Sequence, residues 1–195
     1  MVIKYFALLI LCCSVSLAQN IPIFLAGEPD TLEQEEDIGA MCSLGCAIDW
    51  GTDATSYLVD GNIKYTVVNL EDGHTSTAWI SKKEGIGEII TYSFSAKNMQ
   101  EFDSLRFNGF RIVNGFVKDN SIWKMFSRVK KARVIHNHKI IGDVTFYDSR
   151  GIQEVHFPAF FIRSNSKVAF KILEVYPGSK YKSVAISELV PLGAH

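Results

Sequence analysis

The sequence has no long apolar run beyond its first twenty residues and no segment that keeps helical spacing over three turns. It contains only 5 prolines and 4 cysteines, and its 20 basic and 21 acidic residues nearly cancel, for a formal net charge of -1. A transmembrane segment beyond the first twenty residues, a collagen and a coiled coil are therefore excluded. The balanced charge argues against a general nucleic-acid-binding protein. With 47% hydrophobic and 12% aromatic residues among 195, the chain can form one domain with a sizeable core.

The first eighteen residues, Met1–Ala18, have the pattern of a secretory signal peptide. Lys4 supplies the positive charge, Phe6–Cys13 form a short apolar run, and Ser16-Leu17-Ala18 resembles a small-residue cleavage site. We expect cleavage after Ala18 and export, so that the protein is secreted or periplasmic, with no membrane span after cleavage.

Cleavage after Ala18 would remove two of the four cysteines and leave one pair. A lipid anchor on Cys12 or Cys13 is the alternative, but neither cysteine follows a small residue. Cys42 and Cys46 remain, and Gly45 allows the short loop between them to close. In an exported protein this spacing favours a structural disulfide between Cys42 and Cys46, with a free or metal-bound pair as the alternatives.

The segment after the predicted signal peptide, residues 19–39, has little periodic apolar pattern. Its decapeptide Glu28–Asp37 contains six acidic residues and no basic one. We expect this acidic leader to be poorly ordered, and we place the folded domain at residues 40–192.

The domain itself has the punctuation of an all-β protein. In Val168–Tyr176, for example, Val168, Phe170 and Ile172 fall on one face of an extended strand. Short strand-like runs are separated by Gly, Asn, Asp and Ser; they are Lys64–Val68, Glu88–Phe94, Gly109–Val117, Ala132–Ile135, Val144–Tyr147, Val155–Phe157, Val168–Tyr176 and Ser183–Leu189. Many short strands in one domain predict a sandwich of two antiparallel sheets.

One stretch resembles a family signature. Asn69–Trp79, NLEDGHTSTAW, resembles the N-x-x-D-G-x-x-x-T-x-W signature of galactose-binding-like domains, also called discoidin or coagulation-factor type-C domains. Further stretches resemble the branch named for the translocation domain of streptococcal NAD glycohydrolase; they are Gly85–Glu88, Asn114–Phe116, Ser127–Lys131, Val175–Tyr181 and Ala185–Leu189. The resemblance runs from about Cys42 to Val190.

This resemblance implies a jelly-roll β-sandwich whose usual role is glycan binding. It gives no reason to expect NAD hydrolysis, because the enzyme that names the branch has that activity in a separate domain. The expected partner is a glycan or glycoconjugate, and an envelope or surface protein is the alternative.

A structural calcium ion is also implied. In discoidin-like relatives an ion occupies the Asp-Gly loop and is closed by an acid near the C-terminal strand, a position that Glu188 matches. Asp72 and Thr77 lie on that loop, and oxygen ligands of this kind suit calcium. The alternative is that Asp72 only caps its turn and Glu188 binds a backbone amide or a lysine. Trp79, at the entry to a strand, is expected in the core.

The predicted ligand-binding residues lie on two loops. Aromatic side chains among polar loop residues are the features that stack on sugars. The candidates are Trp123, Phe126, Arg128, Lys180, Tyr181 and, more weakly, Asn114. A structural plug is the alternative for Trp123, and a solvated strand face is the alternative for the basic run from Arg128 to Arg133.

Catalytic patterns are weak. His136-Asn-His138 could present two imidazoles on one strand face, but no third metal ligand follows from spacing. The sequence has no nucleophile elbow and no H-E-x-x-H motif. We therefore expect a non-catalytic glycan-binding module; an adhesion or protein-interaction domain of the cell envelope is the alternative, and a small hydrolase ranks third.

Overall fold

The computed structural model describes residues 20–30, 44–99 and 101–194. Within these ranges the chain forms twelve strands, one short α-helix and two 3-10 turns, Leu44–Cys46 and Val67–Leu70. The strands are β1 Ile23–Leu25, β2 Gly51–Ala54, β3 Val59–Asp60, β4 Ile63–Lys64, β5 Trp79–Ile80, β6 Ile89–Phe94, β7 Leu105–Asn114, β8 Arg128–His136, β9 Lys139–Thr145, β10 Ile152–Ile162, β11 Ser166–Tyr176 and β12 Ala185–Ala194. The helix α1 is Asn120–Met125. None of the helices in these ranges is long and apolar enough to cross a membrane.

Two main sheets form the predicted sandwich. The six-stranded sheet has the order β1-β9-β8-β11-β6-β2, and the four-stranded sheet has the order β10-β7-β12-β5. All pairings are antiparallel except β1 with β9, which is parallel. The strands β3 and β4 form a separate small hairpin. The all-β sandwich of two sheets expected from the sequence is confirmed.

The core lies between the two sheets and is rich in aromatic rings. Phe110 of β7 packs against Phe170 of β11 with ring centroids 5.4 Å apart, and against Tyr92 of β6 at 5.7 Å. All three side chains are buried, because alternate residues of each strand point into the same space. The Tyr92 hydroxyl donates a hydrogen bond to the carbonyl of Leu189, 2.5 Å away, so the one polar atom of this group is satisfied. Trp79 is also fully buried, as expected.

Most of the predicted strands are present and longer than expected, but Lys64–Val68 is not one strand. Strand β4 ends at Lys64, and Val67–Leu70 form a 3-10 turn. This turn buries Leu70 completely, and the side-chain amide of Asn69 donates to the carbonyl of Ala78 at 2.8 Å. The apolar run therefore packs as a turn that leads into the Asp-Gly loop.

The start of the leader also differs from the expectation. Ile23–Leu25 form β1 on the edge of the six-stranded sheet, and Phe24 packs against Phe157 with ring centroids 6.0 Å apart. Further along, Asp30 pairs with Ile152 at the edge of the four-stranded sheet. Residues 20–30 thus join both sheets at one side of the sandwich, although the acidic composition suggested disorder.

Other predictions concern residues outside the described ranges. The signal peptide at residues 1–18 and most of the acidic run lie there, as does Cys42. The Cys42–Cys46 disulfide therefore stays a prediction.

The docking of β1 can be tested at Gly142. A Cβ atom there would overlap the ring of Phe24 and crowd the carbonyl of Pro22. Gly142→Ala should therefore displace β1 and lower the free energy of unfolding by about 1–3 kcal/mol, as overpacking does. Urea unfolding gives the free energy, and proteolysis within residues 20–30 reports the displaced strand. Gly51→Ala is the matched control, since a Cβ there meets only a carbonyl at 3.9 Å. Equal stability and equal protease resistance of the two variants would contradict a docked β1.

Candidate functional site

Four segments meet at one end of the sandwich, which we call the loop end: residues 56–65, 81–87, 116–126 and 177–183. Backbone hydrogen bonds tie them together. Leu58 N donates to the carbonyl of Ile80 at 2.7 Å, and Tyr181 N donates to the carbonyl of Met125 at 2.8 Å. Lys82 N donates to the hydroxyl of Ser56 at 3.1 Å. The loop end is therefore built from contacts between segments that are distant in sequence.

A second, smaller apolar cluster supports the loop end. Phe116 is buried at its centre, with the rings of Tyr65 and Phe126 each 6.1 Å away. Phe126 in turn stacks on Tyr181, with centroids 4.7 Å apart and an interplanar angle of 29°. Tyr181 is 39% exposed. The half-buried Phe126, supported by the buried Phe116, thus holds the Tyr181 ring at the surface, so its orientation is fixed before any ligand arrives.

Helix α1 directs two large apolar side chains, Ile122 and Trp123, into different clusters. Asp119 caps the helix by accepting a hydrogen bond from Ile122 N at 2.8 Å. Ile122 packs against the Phe116 cluster, whereas Trp123 packs against Val113 and Val117. Trp123 therefore belongs to a different apolar cluster from Phe126 and Tyr181.

The surroundings of Trp123 are those of a structural plug. Its indole Nε1 donates to the carbonyl of Asn114 at 2.8 Å, and the guanidinium of Arg128 lies 4.6 Å from the ring centroid. The ring rests on Gly115, which has φ +104° and no room for a Cβ. The indole is thus in contact with the backbone of Gly115 and with the Arg128 cation, which Asp148 holds in place.

Two further candidates are engaged within the protein. Asn114 is fully buried, and its side-chain amide donates to the carbonyl of Val129 while its oxygen accepts from Val129 N. Arg128 is 6% exposed and forms a bidentate pair with Asp148 at 2.8 and 2.9 Å. Both residues hold β7 and β8 in place beneath the loop end, and neither presents a free polar group to a ligand there.

The structure thus separates the six predicted ligand-binding residues into two groups. Phe126, Lys180 and Tyr181 lie together, and the Lys180 ammonium is 4.9 Å from the centroid of the Tyr181 ring. Trp123, Arg128 and Asn114 form the support beneath them. The sequence analysis missed two neighbouring parts of the loop end: the β3–β4 hairpin, beside which Tyr57 is 41% exposed, and the loop that carries Lys82 and Lys83. The Asp60-Gly61-Asn62 turn was the available signal for the hairpin.

The two histidines do not form a pair on one strand face. The ring of His136 stacks on Phe160 with centroids 4.4 Å apart, and burial lowers its pKa. His138 is exposed in the β8–β9 turn with φ +69°. Across residues 20–30, 44–99 and 101–194, no group of three or more His, Cys, Asp or Glu side chains could hold a metal ion.

The Asp-Gly loop forms a compact set of oxygen atoms. The Thr77 hydroxyl lies 2.7 Å from Asp72 Oδ2 and 2.9 Å from the carbonyl of His74. The backbone N–H of His74 donates to Asp72 Oδ1 at 3.0 Å. Gly73 has φ +74°, which gives the turn a left-handed residue that glycine adopts without strain. Asp72 therefore does cap its turn.

Glu188 faces this loop from strand β12. It is 1% exposed, and neither carboxylate oxygen makes a hydrogen bond of ordinary geometry to any part of the chain that the structure describes. Burial, followed by the nearby Asp72 carboxylate, raises the pKa of Glu188 to about 8, and the backbone amides of Gly73 and His74 oppose this shift. A buried carboxylate without a hydrogen-bonding partner is costly, so this position favours either a proton or a cation.

These oxygen atoms fit a hard divalent cation. Asp72 and Glu188 supply negative charge, while the Thr77 hydroxyl and the His74 carbonyl supply neutral oxygens. This donor set is the kind that calcium prefers. It contains two carboxylates, so it differs from clusters built on three or more acidic or imidazole ligands.

A known protein family matches most of the chain, including the loop end and the Asp-Gly loop. Residues 46–191 match the NAD glycohydrolase translocation F5/8 type C domain. The chain belongs to this family. No curated protein matches the chain significantly.

Solved structures with the same fold include carbohydrate-binding modules of family 32. The CBM32-1 and CBM32-2 domains of Clostridium perfringens ZmpB superpose with a TM-score of 0.60 at 12% identity, over 89% of this chain and 41% of that one. CpGH89CBM32-5 from the same species, solved with GalNAc-β-1,3-galactose, gives a TM-score of 0.50 at 19% identity, over 73% and 94%. A putative chitobiase fragment from Bacteroides thetaiotaomicron gives 0.56 at 18%, over 75% and 89%.

The galactose-binding-like fold expected from the sequence is therefore shared with these modules. The chain spans less than half of the length of the ZmpB structure with CBM32-1 and CBM32-2, which contains more than one domain. At these identities the likeness concerns the fold of the domain.

The raised pKa of Glu188 predicts how the stability of the protein depends on pH. Because its pKa is about 8 in the folded chain and 4.5 ordinarily, the folded protein holds a proton that the unfolded chain has released between these values. Without metal, the free energy of unfolding should fall as pH rises from about 4.5 to about 8, by no more than about 1.4 kcal/mol per pH unit. Glu188→Gln should flatten this decline. Urea unfolding in chelator at several pH values measures it.

The matched control is Glu174→Gln, which removes an exposed carboxylate paired with Lys130 at 3.1 Å. This variant should keep the decline seen in the unaltered protein. A Glu188→Gln variant with the same pH profile as the unaltered protein would contradict the protonation of Glu188.

Proposed function

We propose that the protein is an exported, non-catalytic module that binds glycans through its loop end, with Tyr181 as the aromatic surface. The observation that carries this proposal is the Phe126–Tyr181 stack, which presents an exposed ring on a half-buried one that packs on the buried Phe116. Aromatic faces bind the C–H surface of sugars, and a rigid platform loses little conformational entropy on binding. Export follows from the signal-peptide pattern of Met1–Ala18.

The relatives by fold support the ligand class. Structures of CBM32 domains that share the fold were solved with GalNAc and with GalNAc-β-1,3-galactose. A galacto-configured sugar is therefore the first ligand to test. In this chain the Lys180 ammonium lies over the ring of Tyr181, 4.9 Å from its centroid, on an exposed side chain. On sugar binding this flexible side chain moves aside and bonds hydroxyl groups of the stacked ring.

An adhesion role is the second candidate. Val59 and Ile63 of the β3–β4 hairpin are 51% and 58% exposed, and they lie at the same end as Tyr181. Aliphatic side chains suit a protein surface better than a sugar. On this view the loop end would contact an envelope or surface protein.

We also propose one structural calcium ion at Asp72, Thr77 and Glu188. The support is the hydrogen-bond deficit of the buried Glu188 carboxylate beside a second carboxylate. An ion there would neutralise both charges and join the Asp-Gly loop to β12. Its role is structural, because these residues would hold the loop in place without taking part in chemistry.

Glycan binding is tested by Tyr181→Ala. Removing the ring should reduce affinity for a GalNAc- or galactose-terminated glycan at least about tenfold, which is about 1.4 kcal/mol, with little change in stability. A glycan array selects the ligand, and calorimetry measures the affinity. Phe161→Ala is the control, because Phe161 is also an exposed aromatic residue, 57% exposed, and lies at the end of β10 away from the loop end. Equal loss in both variants, or binding of no glycan on the array, would refute the site.

Trp123→Ala provides a contrast in the same experiment. Because Trp123 plugs the space between Gly115 and Arg128, its truncation should lower the free energy of unfolding by about 2–3 kcal/mol, slightly less than for a fully buried tryptophan. A tenfold affinity loss for Trp123→Ala without a loss of stability would instead make it a ligand platform.

The calcium proposal is tested by thermal unfolding with calcium and with chelator. A saturating ion that binds only the folded chain stabilises it by about 2.7 kcal/mol at a hundredfold excess over its dissociation constant. Glu188→Gln and Asp72→Asn should each abolish the difference, while Glu174→Gln should preserve it. Identical melting curves of the unaltered protein under both conditions would reject the ion.

A further inference from the structure

We propose that the ligand of the loop end is an anionic glycan, whose carboxylate or sulfate groups contact a rim of lysines around Tyr181. This inference rests on the proposed glycan-binding function and specifies its ligand class. The lysine rim consists of Lys82, Lys83, Lys124, Lys180 and Lys182, all of them exposed.

Three contacts place the segments of the lysine rim beside the Phe126–Tyr181 stack. The Lys180 ammonium lies 4.9 Å from the centroid of Tyr181. The carbonyl of Lys124 accepts a hydrogen bond from Ser179 N at 2.9 Å, which brings the end of α1 against the loop that carries Tyr181. The Lys182 ammonium lies 2.8 Å from a carboxylate oxygen of Glu84, which brings the loop of Lys82 and Lys83 to the same place. The five ammonium groups therefore come from three segments that share one small area.

Positive charge is in excess at the loop end. Its four segments contain seven lysines and three acids, Asp60, Glu84 and Asp119, although the whole chain has a net charge of -1. Glu84 pairs with Lys182, and in the described part of the chain no carboxylate pairs with the other four lysines of the rim. Concentrated positive charge of this kind attracts an anion and raises its local concentration.

The basic strand β8 shows the contrast. Arg128 pairs with Asp148, Lys130 with Glu174, and Arg133 with Asp143, whose pKa is lowered chiefly by that hydrogen bond. Those cations are neutralised within the protein. Four of the five rim lysines have no carboxylate partner in the described part of the chain, so their positive charge is available to an anionic ligand.

A charged sugar fits the combination of groups better than a lipid surface does. A uronic acid or sulfated sugar presents a C–H face and an anionic group within one ring. Here the Tyr181 ring and the Lys180 ammonium form a matching pair, 4.9 Å apart. Insertion into a lipid surface requires several exposed aliphatic side chains. The exposed large aliphatic residues at the loop end are Ile86 and, on the β3–β4 hairpin, Val59 and Ile63; in the described chain none lies on the two segments that carry Tyr181 and helix α1.

The test compares polygalacturonate with a neutral galactan of similar length on the purified protein, by calorimetry at two salt concentrations. Polygalacturonate should bind at least about tenfold more tightly at low salt, and its affinity should fall at least about tenfold at tenfold higher salt, because salt screens exposed charges. The affinity for the neutral polymer should change little with salt.

Variants assign the effect to the rim. The triple variant Lys82→Gln, Lys83→Gln and Lys182→Gln, which leaves Lys180 in place, should lose at least about tenfold in affinity for polygalacturonate and keep its affinity for the galactan. The matched control replaces Lys97, Lys139 and Lys167 by glutamine, since these three exposed lysines follow β6, open β9 and open β11 at the opposite end of the sandwich. It removes the same total charge and should bind like the unaltered protein.

The outcomes are distinguishable. Equal affinity for the two polymers, or equal losses in the rim and control variants, overturns the anionic ligand and leaves the proposed glycan-binding function standing. Failure to bind either polymer, together with an empty glycan array, overturns the proposed function as well. Binding to phosphatidylglycerol vesicles but to neither polymer would show that the rim serves a lipid surface, and would overturn this inference.

Discussion

Packing of aromatic rings across the two sheets is the constraint on which the rest of the molecule depends. Strand β7 lies between β10 and β12 in its own sheet, and its Phe110 meets Tyr92 and Phe170 of the other sheet. Large flat rings fill this space only when the two sheets keep one separation and one register, because protein interiors tolerate few voids. The position of β7 therefore fixes where its last residues emerge, and the loop end begins there, at Asn114 and Gly115.

The loop end is a continuation of this core. Phe116 leaves β7 and forms the second apolar cluster, Phe126 packs on it, and Tyr181 packs on Phe126. Burial decreases at each step, from a fully enclosed interior to a ring in contact with solvent. An exposed aromatic residue is therefore held by a chain of ring contacts that starts in the core, which explains how loops from distant parts of the sequence can present a single defined surface.

The sequence was informative wherever periodicity governs structure. Alternating runs such as Val168–Tyr176 predicted strands because one face of each strand is buried. Strand β1 was missed because three residues in an acidic segment carry little periodicity, and its order comes from Gly142 and Phe157, which are distant in sequence. Trp123 and Tyr181 look alike in sequence, as aromatic residues among lysines and polar residues. Only the partners of each ring separate a plug from an exposed platform, and those partners are tertiary.

The direction of the strands has a practical consequence for how the protein can be attached to a surface. Strand β12 starts beside the loop end and runs away from it, so Gly193 pairs with Phe107 at the far end of β7. Strand β1 runs parallel to β9, whose first residues lie at that same far end, next to Asn20. The first and last described residues thus emerge on one side of the sandwich, away from Tyr181. A tag, bead or sensor chip linked at either terminus would point the loop end outward, with its ring and lysines accessible to ligand in solution.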